Sequence, residues 1–397
     1  MNFEFSSRVP KSDSDPVGDI LKVAGKPGII SFAGGLPAPE LFPIAGVKKA
    51  AEEVMDEDGA AALQYGSAKG VGKLIDTVVQ RSKRDGVVTD ADHVMISTGS
   101  QQAIDLTGKM FVDPGDTVII ERPTYLCAVD VFRSYGAHFV GVDMDDDGMR
   151  MDQLEQAIID NPNTKVIYTV PNFQNPTGRT MSVERRKQMV QIAEKYNVMI
   201  LEDNPYGAIR FTGENIPAVK SFDKTGHVIY MSTFSKILAP GIRVGWIVAG
   251  PQLIKKFTFM KQSADVHTDN FVQFVVAKFF AENDVEAHIK KISAMYVKRK
   301  DVMINAMKKY FPSDVKFSNP DGGMFLWVEV PGDVNTQAMF DECIKNNVAF
   351  VPGEPFYANN APSGRFRLNF SNTPEDQIEI GIKRLASAIR KFQEVNA

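Results

Sequence analysis

The sequence predicts an α/β protein: a large domain on a mixed, mostly parallel seven-stranded sheet, followed by a smaller α+β domain. Three observations carry that expectation. From about residue 90 to 250, short apolar, β-branched runs alternate with segments whose apolar residues recur at helical spacing, the pattern of a helix-covered parallel sheet. The last two runs are joined by a loop alone, so one of them is expected to run antiparallel. Beyond about residue 290 the alternation gives way to a long charged helical stretch and scattered short strands.

In chain order the strands are expected at 93–98 (HVMIST), 116–122 (DTVIIER), 138–143 (HFVGVD), 165–171 (KVIYTVP), 198–203 (VMILED), 227–233 (HVIYMST) and 243–250 (RVGWIVAG). Between them lie helical segments such as SVERRKQMVQIAEKYN, 182–197. After the helix AHIKKISAMYVKRKDVMINAMKKYF come GGMFLWVEV, NNVAFVPGEPFY and RFRLNFSN, which build the smaller domain. The expected division is an N-terminal segment, 1–45, packed with the small domain, then a large domain, 46–290, and a small domain, 291–397.

Composition removes several function classes. Of 397 residues, 44% are hydrophobic and 24% charged, ordinary values for a chain with a sizeable core. A net charge of −4 offers no attraction for nucleic acid or an anionic membrane. No uncharged apolar run reaches the ~18 residues of a membrane span, and the N-terminus lacks the apolar stretch of a signal peptide. Cys127 and Cys343 form no C-x-x-C pair, which argues against a metal site and for a reducing compartment. A soluble, cytoplasmic protein is expected.

In open α/β sheets ligands bind outside the C-terminal strand ends, and here those positions share a theme. After HVMIST comes GSQQAIDLTGKM, where free N–H groups at a helix start suit a phosphate and point to Ser100 and Gln101. Alone, a serine there is more often an ordinary helix cap. After DTVIIER, Tyr125 offers a ring that can stack on a planar ligand, although most such tyrosines only pack. After KVIYTV, Asn175 in PNFQNPTGRT either donates to a ligand oxygen or serves a turn. After VMIL come Glu202 and Asp203, then Tyr206; a carboxylate buried at that point requires a cationic partner unless it caps a helix. STFSKILAPGIRVGW sets Lys236 among Ser232, Thr233 and Ser235, with Arg243 seven residues on. The hydroxyls and the guanidinium suit a phosphate; the lysine is not needed for that.

Pyridoxal phosphate requires this set. Its phosphate takes helix N–H groups, hydroxyls and an arginine; its pyridine nitrogen needs a buried aspartate to stay protonated. Its phenolic oxygen takes Asn and Tyr donors, and its aldehyde a lysine amine. Lys236 then sits among phosphate ligands because it is tethered to the same molecule.

The motifs FAGGLPAPELFP, LQYGSAKGVGKL, STGSQQAIDL, ERPTY, PNFQNPTG, EDNPY, STFSKILAPGIRVGW, GGMFLW and RFRLNFS span nearly the whole chain. In content and order they resemble the class I/II, fold-type I PLP-dependent aminotransferases, above all the branch with 2-aminoadipate, kynurenine and aromatic amino acid aminotransferases. The resemblance implies the PLP-transferase fold and ping-pong transfer of an amino group from an L-amino acid to a 2-oxo acid. The donor would be aromatic, aliphatic or 2-aminoadipate-like, and the acceptor, by family analogy, 2-oxoglutarate. It implies that Lys236 holds the cofactor and then moves a proton as general base, and that Asp203 faces the pyridine nitrogen. Tyr125 would stack on the ring, and Asn175 and Tyr206 would meet the phenolic oxygen. Thr233, Ser235 and Arg243 would join Ser100 and Gln101 around the phosphate. Arg367 matches the arginine that grips the substrate α-carboxylate, beside Asn175. Gly35 matches the segment that covers the substrate. Tyr65 matches a tyrosine reaching a phosphate across an interface, which implies a homodimer with shared active sites.

One feature departs from the aminoadipate type. Those members carry an arginine in the N-terminal helix ahead of FAGGLP, for a side-chain carboxylate. Here that place reads DPVGDILKV, with Gly18-Asp19, and Arg8 lies upstream at a different spacing. An apolar or aromatic donor gains by the difference. Rivals on the same scaffold are a β-lyase or decarboxylase and a PLP-binding regulator; the latter needs a DNA-binding module ahead of FAGGLP, which begins here by residue 32. GSAKGVGKL falls short of a P-loop: its glycine spacing is one too long, and Leu74 stands where Ser or Thr would hold magnesium. His93, His138, His227 and His267 show no ligand spacing, and DMDDDG, 143–148, lacks the rest of a calcium loop.

Overall fold

A computed structural model of the chain describes residues 3–9, 18, 22 and 24–395. Asp19 and most of the stretch read above for the missing arginine lie outside the described residues. The first strand, β1 (Ile30–Ser31), belongs to the smaller half of the molecule, described below. The large sheet contains β2 (Val94–Ser97), β3 (Thr117–Arg122), β4 (His138–Asp145), β5 (Gly148–Met149), β6 (Thr164–Thr169), β7 (Met199–Asp203), β8 (Val228–Thr233) and β9 (Gly245–Val248). Its spatial order is β2-β9-β8-β7-β6-β3-β4-β5.

The seven expected strands are present and the sheet is mostly parallel; β5 adds an eighth strand of two residues, hairpinned to β4. The antiparallel member is β9, which pairs antiparallel with both β2 and β8. Central strands such as β8 are buried along their full length, which is why they read as continuous apolar runs. The pleat sorts their side chains into two layers. Ile119, Ile167, Ile200 and Val228 pack on one face, and Val118, Val166, Tyr168, Leu201 and Ile229 on the other.

The smaller half contains β10 (Lys316–Phe317), β11 (Phe325–Glu329), β12 (Val348–Ala349), β13 (Val351–Pro352) and β14 (Arg365–Asn369). Four of them form an antiparallel sheet, β10-β11-β14-β13, while β12 pairs in parallel with β1. The N-terminal segment is thereby stitched to this half, with Phe32 N–H donating to Ala349 O at 2.8 Å and Asn369 N–H to Phe32 O at 2.8 Å. The 26-residue helix Val285–Tyr310, capped by Asp284 on Ala287 N–H, packs along the C-terminal helix Glu375–Val395. Among the described residues no helix is long and apolar enough to cross a membrane.

Candidate active site

At the C-terminal edge of the large sheet, under the N-terminal segment and β14, lies a cavity of about 720 Å³. It brings together Gly35, Ser100, Gln101, Tyr125, Asn175, Asp203, Tyr206, Thr233, Ser235, Lys236, Arg243 and Arg367, which the sequence scatters over more than 330 residues. Tyr65 is outside it: its side chain is 82% exposed, and its ring stands edge-on to His267 at 5.8 Å.

At one end of the cavity the chain leaves β2 through Thr98, the cap residue, into the helix Gly99–Phe111. Ser100 is therefore not the cap; it stands in the first turn with Gln101, where N–H groups lack intrahelical partners. Gly99 adopts φ +74°, and a Cβ there would come within 2.4 Å of Arg243 Nη2. A side chain at that position would fill the space in front of the guanidinium. Thr233 Oγ1 accepts from Ser235 N–H at 3.1 Å and donates to Ser235 Oγ at 2.9 Å, closing a small hydroxyl-rich turn at the end of β8. Arg243 itself has φ +52° and donates through Nη1 to Pro240 O at 3.3 Å.

Lys236 Nζ donates to Gly35 O at 3.0 Å. Burial, and then the charges of Arg367 and Arg243, push its pKa down from 10.5 to about 8, against the pull of Asp203. The neutral amine is thus far more accessible than that of a surface lysine.

Asp203 ends β7 with 3% of its surface exposed. The expected cationic partner is not in direct contact. Oδ2 accepts instead from the Tyr168 hydroxyl at 2.8 Å, and Oδ1 has no partner. Burial raises its pKa from 3.8 to about 7, opposed by the Tyr168 hydrogen bond and the Lys236 charge. Nor does Asp203 cap a helix, since the chain runs on into the irregular segment 204–208.

Asn175 links the two halves of the molecule. Its Nδ2 faces the Tyr206 hydroxyl at 3.4 Å, and its Oδ1 accepts from Arg367 Nη1 at 2.8 Å. Arg367 Nη2 donates to Ala33 O at 2.7 Å, and the guanidinium lies over the rings of Phe325 and Phe356 at 4.2 and 5.0 Å. Its Nε is buried without a partner, and burial lowers its pKa to about 10. The Tyr125 hydroxyl reaches Gln101 Oε1 at 3.4 Å, and burial holds its phenol proton firmly.

Sequence reasoning missed the supports. Tyr168, which fixes Asp203, lies inside β6 and looked like core. Glu121, fully enclosed, accepts from Thr169 Oγ1 at 2.6 Å and Gln174 Nε2 at 2.9 Å, and so anchors the loop that carries Asn175. An acid ending the apolar run of β3 was the available signal. Leu36, Leu126, Phe325 and Val351 complete the cavity wall.

The family model of aminotransferase class I and II matches residues 34–385. The chain is 41% identical to aromatic-amino-acid aminotransferase 1 of Thermococcus litoralis, over 98% of this chain and 94% of that one. It is 34% identical to 2-aminoadipate transaminase of Thermus thermophilus, over 97% and 96% of the two chains. A crystal structure of kynurenine aminotransferase from Pyrococcus horikoshii superposes with a TM-score of 0.94 at 41% identity, covering 99% of this chain and 98% of that one. The chain belongs to the class I and II aminotransferases, and pyridoxal phosphate is its cofactor. The cavity fits that cofactor: Asp203 Oδ1 is a buried acceptor without a partner, and the hollow kept open by Gly99 faces Arg243.

Proposed function

We propose that the enzyme moves the amino group of an aromatic or aliphatic L-amino acid to a 2-oxo acid, 2-oxoglutarate, in two alternating half-reactions. The carrying observation is the cavity wall beyond the cofactor groups, where Leu36, Leu126, Phe325 and Val351 present an apolar surface to a substrate side chain. We also propose that it works in the cytoplasm as a homodimer in which Tyr65 of each copy serves the other's site, and we keep the domain division 1–45, 46–290 and 291–397.

Bound here, pyridoxal phosphate supplies a carbonyl that takes up amines and a ring that spreads negative charge. Asp203 Oδ1 would hold the ring nitrogen's proton, and Tyr168 keeps that carboxylate aimed. Asn175 and Tyr206 would donate to the phenolic oxygen, and Tyr125 would lie against the ring. Ser100, Gln101, Thr233, Ser235 and Arg243 would hold the phosphate. Arg367, its Nε unpartnered, would clamp the α-carboxylate with Asn175 beside it, and Gly35 would cover the substrate. Lys236, its pKa brought down by burial to about 8 so that the free amine is within reach near neutral pH, would hold the cofactor and later carry the proton leaving the substrate Cα.

A half-reaction panel tests the reading. The cofactor-loaded protein is mixed with single amino acids, no oxo acid added, and its visible spectrum followed. Persistent loss of the yellow band, fastest with aromatic donors, is expected, and 2-oxoglutarate should restore it. Unaided return of the band while substrate is consumed would establish a lyase or decarboxylase instead.

A further inference from the structure

An ion pair between a buried lysine and a partly exposed aspartate stands behind the turn that opens the phosphate end of the cavity. Lys261, fully buried, donates to both oxygens of Asp265 and to Gln102 Oε1, each at 2.8 Å. Asp265 Oδ2 also accepts from Gln102 Nε2 at 2.6 Å and from Thr98 Oγ1 at 3.1 Å. Gln102 Oε1 in turn accepts the Thr98 N–H at 2.8 Å. Thr98 is the residue from which the helix carrying Ser100 and Gln101 starts. The pair's other bonds therefore converge on the entry to that helix, although neither Lys261 nor Asp265 lines the cavity.

The next residue, Val266, has φ +66° and ψ −61°, and His267 N–H donates back to Asp265 O at 2.8 Å. This is a γ-turn in a region that β-branched residues rarely enter. Such strain persists where the surroundings over-determine it. Asp265 is clamped on one side as described. On the other, Thr268 Oγ1 meets Thr98 Oγ1 at 3.1 Å and Thr268 O accepts from Gln273 Nε2 at 2.8 Å. His267 Nε2 accepts the Gly66 N–H at 3.3 Å, and Asn270 Nδ2 donates to Ala61 O and Gln64 O, so the Tyr65 segment is anchored to the same stretch.

We propose that Lys261, Asp265 and the Val266 turn form a positioning device, which aims the Thr98–Gln101 turn at the cofactor phosphate without touching it. The inference rests on the reading of that turn as the phosphate site. An ion pair with one partner open to solvent adds little net stability; a fixed turn is what this one provides.

The test uses the cofactor-free protein, titrated with inorganic phosphate and, separately, with pyridoxal, which lacks the phosphate. Asp265→Asn is expected to weaken phosphate binding about tenfold while pyridoxal affinity stays within about twofold. Because that variant leaves Lys261 unpaired, the neutral double variant Lys261→Met/Asp265→Asn is measured beside it, with the same expectation. Val266→Gly, which accepts the turn without strain, should raise Tm yet weaken phosphate about threefold by loosening it. Unchanged phosphate affinity in these variants, or equal losses for phosphate and pyridoxal, would overturn the inference. Arg243→Ala separates the two levels. If it too leaves phosphate binding intact, the phosphate reading of this end of the cavity fails, and the device with it. If it abolishes phosphate binding while the double variant does not, the device alone fails.

Discussion

Glu202 and Asp203 are neighbours at the end of β7, both buried, both pushed up by burial to a pKa of about 7, and the pleat sends them to opposite faces of the sheet. Glu202 shares the face of Ile200, where its two oxygens accept Val219 N–H and Lys220 N–H, each at 2.8 Å. Asp203 shares the face of Tyr168 and keeps one oxygen with no partner at all. The first carboxylate is satisfied and fixes a loop; the second is held ready for a ligand. Two lysines repeat the contrast. Lys261 has Asp265 in direct contact, whereas Lys236 bonds the Gly35 carbonyl and meets two arginine charges that outweigh the more distant Asp203. In these two pairs the group with its partners present is architecture, and the one left without them lines the cavity.

The largest expected effect divides the lysines. Lys236→Ala should cut turnover by at least about 10⁴-fold in a protein that still folds. Its stability effect has a definite sign. The Lys236 pKa is lowered on folding, so the unfolded chain holds the proton more tightly, and the charged lysine opposes folding below about pH 8, an effect that fades as pH rises toward 10.5. Cofactor-free Lys236→Met should therefore melt higher than wild type at pH 7, with the gap closing above pH 10. Lys261→Met, which removes the cation that helps hold Asp265 charged and a donor to Gln102 Oε1, should melt lower. Scanning calorimetry of both across pH decides it, and equal shifts would erase the distinction.

Next come the two acids. Asp203→Asn should lower kcat about 10³-fold and loosen the cofactor, since a neutral amide cannot keep a ring nitrogen protonated. Its native pKa is raised from 3.8 to about 7, so its favourable contribution is present at low pH and lost as pH rises through that window. The cofactor-free variant should thus lose less Tm than wild type between pH 5 and 8. Glu202→Gln, by contrast, leaves one of two buried N–H groups without an acceptor. A loss of about 1–3 kcal/mol in stability with kcat nearly unchanged is expected. Steady-state kinetics and melting curves on the same preparations give both readings.

Arg367→Lys should follow, raising KM about 10- to 100-fold for every amino acid alike, because an ammonium cannot replace a bidentate clamp on the carboxylate that all donors share. A loss confined to one donor would place the arginine at the substrate side chain instead.

The parts of this contrast were unequally legible in the sequence. Strands of the large sheet announce themselves because burial on both faces demands continuous apolar runs, and only two-residue β5 escaped. Most of the cavity residues were legible because they follow strand ends, whereas Gly35 and Arg367, the latter inside β14, were reached through the family resemblance. What one dimension conceals is satisfaction. Asp203 seemed to need a cation, but a tyrosine 35 residues earlier supplies the hydrogen bond. Lys261 looked like any helical lysine, since its connection to Gln102, beside the Thr98 turn, spans 159 residues. Which buried groups find partners is decided by long-range packing, and a strand-end motif does not encode it.

The smallest effect concerns Tyr65, the site candidate that the single chain leaves outside the cavity and 82% exposed. If a second copy brings a phosphate to it, one hydrogen bond to a charged group at a partly hydrated interface is at stake, about 1 kcal/mol. Tyr65→Phe should then weaken cofactor binding about fivefold with KM for the amino acid unchanged. The loss should appear at protein concentrations where sedimentation shows a dimer and vanish on dilution to monomer, where wild type should weaken to match the variant. Identical affinities at every concentration would mean that one chain completes its own phosphate site, and that the contrast between satisfied and waiting groups ends at the cavity wall.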